Sequence, residues 1–294
     1  MLYLILTVVL NVILFVLFKL FSKYNIDSLQ AIVFNYLTCV ITGSVLLGKF
    51  PVSATSPSQP WFWWSVIMGA MFISLFNLIG WRTREDGITT TTIANKLSLV
   101  IPVIFSVWLY HEQMNVMKIA GIVLALPAVY FTAHVKGENA RPKSILWPAV
   151  LFIGSGLLDT LVKYVEQSHL STNDAQTSYT VHVFLSAFII GFILLIVLKL
   201  MGKPEFAVRN IIAGVVLGIP NYFSIYFLIK FLHSEFLNSS AAIPVNNIGI
   251  VLLSTIVAIL FFKEKETPQR IFGLALSIIA ILLIAFADAH AGNN

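Results

Sequence analysis

Charged residues in this chain come in short clusters, and long apolar runs separate them. The first run, MLYLILTVVLNVILFVLF, carries no charge at all. A helix rises 1.5 Å per residue, so about 20 apolar residues cross the hydrocarbon layer of a bilayer. The pattern predicts ten such spans, at roughly 1–18, 28–47, 61–81, 90–110, 116–134, 145–165, 175–198, 208–231, 239–262 and 269–287. The expected fold is all-α integral membrane, with ten transmembrane helices joined by short connections. The two longest connections, KFPVSATSPSQP and HVKGENARPKS, are too small to fold alone.

The stretch at 88–131 returns in a second copy about 152 positions later. Asn95 then falls on Asn247, Glu112 on Glu264, Gly121 on Gly273 and Ala128 on Ala280. In each copy a polar turn with a carboxylate is followed, nine residues later, by a glycine inside an apolar helix. The chain reads as a duplicated unit, with repeats at 1–134 and 145–288. Five spans per repeat is an odd number, so the second copy enters the membrane upside down. Inverted five-helix repeats are the layout of many secondary transporters, which bind substrate near mid-membrane.

Composition agrees with that reading. Hydrophobic residues make up 58% and charged residues 11% of 294, with mean hydropathy +0.90, whereas a soluble domain holds about 25% charged residues. The single cysteine, Cys39, excludes an internal disulfide and argues against a Cys-based metal or redox site. The net charge of +5 sits between apolar runs, the membrane pattern, and no nucleic-acid partner is expected. The N-terminus lacks a signal peptide's cationic region and cleavage site and is expected to stay as the first helix. No P-loop or Rossmann fingerprint occurs, and no cofactor is expected. Thirteen Lys and Arg residues fall in the connections after spans 1, 3, 5, 7 and 9, against four (Lys49, Lys118, Lys163 and Lys230) in the alternate ones. By the positive-inside rule both termini lie outside.

Together the small residues Thr89–Thr92, Pro102, Glu112 and Gly121, and their echo in Ser239, Ser240, Glu264 and Gly273, resemble the EamA-like branch of the drug/metabolite transporter superfamily. Ser254 stands where the second proline would be. The resemblance covers nearly the whole chain. It implies export or uptake of small polar or amphipathic metabolites by alternating access, without ATP, and it implies termini in the cytoplasm, against the charge count.

Among the candidate substrate-binding residues, Lys96 stands out. It lies about eight residues, ~12 Å, into the fourth span. A cation there costs about 3 kcal/mol unless it meets a polar cavity or a partner. It reads as an anchor for an anionic group or as a charge neutralised during transport, against snorkelling to the interface. Asn95, Asn246 and Asn247 place amides on corresponding helices of the two repeats, either for substrate or to link helices. Pro102 is expected to leave a carbonyl exposed. Asn221 and Tyr222, beside Pro220, read as an interruption of the eighth span, with Asn77 a related polar position in the third. His182 is a candidate for a coupling proton, weighed against a structural histidine. Asp159 and Lys163, four apart, read as a local pair. Glu112 and Glu264 are expected to cap the fifth and tenth helices. The tryptophans Trp61, Trp63 and Trp64 suit an interfacial belt.

The expected function is therefore secondary transport of a small metabolite across the cell (inner) membrane, by a monomer or homodimer. The alternatives are an intramembrane enzyme or a flippase for a lipid-linked substrate. An enzyme would need convergent nucleophile–base or metal-ligand groups, and no HExxH or GxSxG occurs.

Overall fold

A computed structural model of the chain describes residues 1–110, 115–133, 146–170, 173–202, 206–232, 239–265 and 267–291. Among them are helices and turns only. The helices are α1 (Leu2–Lys23), α2 (Ser28–Leu47), α3 (Phe62–Glu85), α4 (Ile88–Leu97), α5 (Val100–Tyr110), α6 (Val116–Ala133), α7 (Leu146–His169), α8 (Asn173–Leu200), α9 (Val208–Leu232), α10 (Ser239–Phe262) and α11 (Pro268–Ala291), with a 3-10 turn at Ser56–Ser58. Among the described residues, nine helical stretches are long and apolar enough to cross a bilayer, and Val116–Thr132 is a shorter apolar helix. The chain is a multi-pass membrane protein.

Local chemistry sets the ends. Asp27 caps α2 by accepting from Gln30 N at 3.0 Å, and Gly48 ends it in the left-handed region at φ 65°. The expected fourth span is two helices, because Pro102 has no N–H to give the Ser98 carbonyl. Ile101 N takes that carbonyl instead, at 2.9 Å, tightening the backbone into a turn at Ser98–Leu99. The exposed carbonyl expected from Pro102 is therefore absent here. Pro220, by contrast, does not interrupt its span, since α9 continues through it as one helix of 25 residues. A proline inside a helix removes one bond of the ladder, and the flanking turns hold the helix together.

By contact the chain divides into two compact units. The first comprises Met1–Lys19, Arg82–Leu157 and Ser224–Asn294, and the second Leu20–Trp81 and Leu158–Phe223. Each takes helices from both halves of the sequence.

In the first unit, α6 packs antiparallel on α11 around two glycines. A Cβ on Gly121 would lie 2.7 Å from Ile284 Cγ1 and 2.8 Å from the Ala280 carbonyl oxygen. One on Gly273 would lie 2.7 Å from Thr132 Cγ2 and 3.0 Å from the Ala128 carbonyl oxygen. These are one contact written twice, since Gly121/Gly273, Ala128/Ala280 and Thr132/Ile284 are all 152 positions apart. The helix starts repeat it too. Asn115 Oδ1 accepts from Lys118 N at 2.9 Å, and Thr267 Oγ1 from Arg270 N at 3.3 Å, again 152 apart. These two residues cap α6 and α11, so Glu264 is not the cap of the last helix as expected. Glu112 lies outside the described residues. The core here gathers Ile93, Leu97, Val100, Ala125, Ala128, Phe152, Val251, Ala280, Ile281 and Ile284.

In the second unit α2 and α8 run antiparallel, with Tyr36 stacked on Phe184 at 6.0 Å and Gly191 against Val33. Gly218 of α9 meets Thr38 of α2, and Gly69 of α3 meets Ser186 and Ala187 of α8. Those contacts also correspond, at an offset of 149 positions.

Candidate functional site

The eight candidate residues fall in two groups, four in each unit. In the first unit, Asn247 Nδ2 donates to the Lys96 carbonyl at 3.3 Å, so α10 meets α4 one residue beyond Asn95, the counterpart of Asn247 in the first repeat. Asn95 Nδ2 donates to Ser155 Oγ of α7 at 3.0 Å. Asn246 is buried and its Oδ1 has no hydrogen-bond partner among the described residues. On α4 the Thr89 and Thr92 hydroxyls are likewise buried and unpartnered, and with the half-buried Lys96 they share one helical face at i, i+3, i+7. Buried polar atoms without partners are uncommon, and each costs about 1–3 kcal/mol. This end of the candidate set therefore keeps donors and acceptors available beside a cation.

In the second unit the candidates bond to neighbouring helices and to their own, and the buried Asn35 Nδ2 and His182 Nε2 have no hydrogen-bond partner among the described residues. Asn221 Nδ2 donates to Asn35 Oδ1 at 3.1 Å, with Cys39 Sγ 3.6 Å away, and Cys39 itself approaches the Gly218 carbonyl at 3.5 Å. Asn77 donates to Ile73 O of its own helix at 2.8 Å, so it serves α3 locally. Tyr222 lies against Gly43, where a Cβ would come 2.9 Å from its ring. His182 is buried, and its Nδ1 is 2.7 Å from the Ser178 carbonyl. A carbonyl can only accept, so Nδ1 carries a proton, and the buried Nε2 has no hydrogen-bond partner among the described residues. Trp61 packs on it edge-on at 4.9 Å. Trp61 is thus a core residue, whereas Trp63 is 69% exposed.

Sequence reading missed Asn35 and Ser155, the partners of two candidates. Each is a lone polar residue inside an apolar run, which was the available signal. It also missed the reach of Glu264. That carboxylate accepts from Ile88 N at 3.0 and 3.2 Å, capping α4, and pairs with Lys19 Nζ at 3.2 Å. Among the described residues no set of three His, Cys, Asp or Glu side chains comes together.

An all-helical multi-pass membrane protein with amides and a lysine inside its helices is the class that this fold and these residues define. Residues 2–133 match the EamA-like transporter family. An uncharacterized protein of Haemophilus influenzae is 29% identical over 283 residues, 93% of this chain and 94% of that one. A Bacillus cereus protein carrying the provisional name sugar uptake protein is 28% identical over 202 residues, 66% of each chain. A protein of known crystal structure superimposes with TM-score 0.56 at 12% identity, covering 96% of this chain and 98% of that one, a likeness of fold alone.

Proposed function

We propose that the protein is a secondary active transporter of small polar metabolites in the cell (inner) membrane, working by alternating access between two inverted five-helix repeats. The reciprocal packing of α6 and α11 carries this reading. An antiparallel pair whose contacts recur with partners exchanged, 152 positions apart, has the two-fold relation that inverted repeats require. Lys96, Asn95, Asn246 and Asn247 are the first substrate residues to test, because unpartnered polar atoms lie among their neighbours on α4 and α10. Lys96 takes an anionic or strongly electronegative group, and the amides orient hydroxyls or carbonyls. Asn221, Tyr222 and Asn77 hold helix geometry in the second unit, and His182 Nε2 is the acceptor for a coupling proton. The name of the Bacillus relative makes hydroxylated solutes the first class to screen.

The test is counterflow in liposomes holding purified protein, with sugars, sugar acids, amino acids and nucleosides as the panel. Exchange of one class without ATP is the expected result, and Lys96→Met should abolish it while the melting temperature stays near wild type. Exchange of no solute by a folded, correctly inserted protein would overturn the reading, and undiminished flux in the Lys96 variant would remove that residue from the site.

A further inference from the structure

At one end of the first unit, charges from four elements are drawn inside. Glu264, in the turn after α10, binds Lys19 of α1 and the first N–H of α4. Lys19 also reaches the Thr83 carbonyl at 3.4 Å. Arg82 pairs with Asp86, Nε to Oδ2 at 2.6 Å, and Arg270 Nη2 donates to the Asp86 carbonyl at 3.2 Å. Arg82, Asp86 and Arg270 are 7%, 6% and 8% exposed, burial that charged side chains seldom reach. These contacts tie the ends of the first, third and ninth expected spans to the start of the fourth and the tenth.

Arg270 is out of place by ordinary rules. It lies in the first turn of α11, where the helix dipole disfavours a cation. Among the described residues its guanidinium meets only carbonyl oxygens, that of Asp86 and that of Lys265 at 3.5 Å, and its Nε has no partner. Stability alone would favour an apolar residue there. Yet Lys118, 152 positions earlier, stands at the same turn of α6 and is 2% exposed. Because α6 and α11 are antiparallel, the two buried cations lie at opposite ends of the pair. The Asn115 amide, beside Lys118, reaches the Ala287 carbonyl near the far end of α11 at 3.2 Å.

We propose that Glu264, Lys19, Arg270 and Asp86 form a charge latch that holds this end of the first unit shut, and that Lys118 anchors the counterpart latch at the other end. The inference rests on the alternating-access reading above. At the Arg270 end the latch includes a cation at a helix start whose guanidinium is only half satisfied, a contact that can be released at small cost. A fully satisfied network would lock one state. The carboxylate of Glu264 makes the strongest contacts, being charge-assisted and shared between a side chain and a backbone N–H.

The test uses full-length protein in liposomes with Cys39→Ser and one reporter cysteine at either end, Thr83→Cys beside Lys19 or Ala287→Cys beside Asn115, both sites fully buried. Impermeant maleimide labelling is followed in time. Glu264→Ala, or Glu264→Gln should the first fail to fold, should raise labelling at position 83 about tenfold, the ratio expected for one charge-assisted bond, and lower it at 287. Arg270→Gln should act in the same direction, and Lys118→Gln in the opposite one. Unchanged rates in folded variants, or a rise at both reporters together, would overturn the latch. Reciprocal shifts in a protein that moves no solute would leave the latch standing and remove the transporter reading. Solute exchange with unchanged labelling would do the reverse.

Discussion

Gly121 and Gly273 offer a quantitative check on the shared α6–α11 interface. Replacing Gly121 with Ala puts a methyl 2.7 Å from Ile284 Cγ1 and 2.8 Å from the Ala280 carbonyl oxygen, where ordinary contact begins at 3.4 Å. The Ile284 side chain can turn away, but the carbonyl belongs to helix backbone and cannot. The helices must therefore part by about half an ångström or more, a gap that forfeits a quarter to a half of each lost dispersion contact. Overpacking of this kind costs about 1–3 kcal/mol. Gly273→Ala meets Thr132 N at 2.9 Å and the Ala128 oxygen at 3.0 Å and should cost the same. Sites this far apart along a helix usually add. If α6 and α11 part as rigid rods, however, the second methyl enters a gap the first has opened, and the double variant should cost less than the sum by about 1 kcal/mol. Unfolding in mixed micelles, followed by tryptophan fluorescence, measures the cycle. Strict additivity would mean that the helices pivot about one end, and negligible single costs would mean that the close approach does not exist.

Three further outcomes follow from named contacts. Asn221→Leu takes the donor from Asn35 Oδ1, which is fully buried, and should cost about 1–3 kcal/mol; adding Asn35→Leu should recover part of it, as thermal melting will register. Gly87→Ala forces a side chain at φ 95° and sets its Cβ 2.6 Å from a Glu264 carboxylate oxygen, whereas Gly48→Ala at φ 65° meets nothing within 4 Å. Both carry a backbone cost of about 1 kcal/mol, so a larger melting-temperature drop at Gly87 measures the carboxylate contact, and equal drops would dismiss it. With the charge count as guide, a cysteine introduced at Ser53 should label from outside intact cells and one at Lys143 should not; the reverse pattern would put the termini in the cytoplasm.

What the sequence made legible was whatever is local to a helix. Apolar runs bounded by charge clusters gave the helices, because a bilayer demands that every span satisfy its own backbone. The glycines of α6 and α11 were legible as a repeated feature inside apolar helices. The break at Ser98–Leu99 was half legible: Pro102 marked it, but the rescue of the Ser98 carbonyl by Ile101 depends on geometry that the letters do not carry. Long-range partners were not legible at all. Glu264 acts 176 positions away, on Ile88, and nothing in its neighbourhood distinguishes that from capping its own helix. Trp61 and Trp63 stand two apart in one aromatic run, and only packing separates the buried ring from the exposed one.

The pairing of α6 with α11 also sets a timetable for biogenesis. The face of α6 that carries Gly121 leaves the ribosome about 150 residues before the helix that covers it, a wait of roughly 8–30 s at usual synthesis rates of about 5–20 residues per second. During that interval α6, a helix of 18 residues, has only lipid or insertion machinery against the backbone at Gly121. Truncations that remove the last helix should therefore strand an early one, and quality-control proteases would meet the damage far upstream of the missing residues.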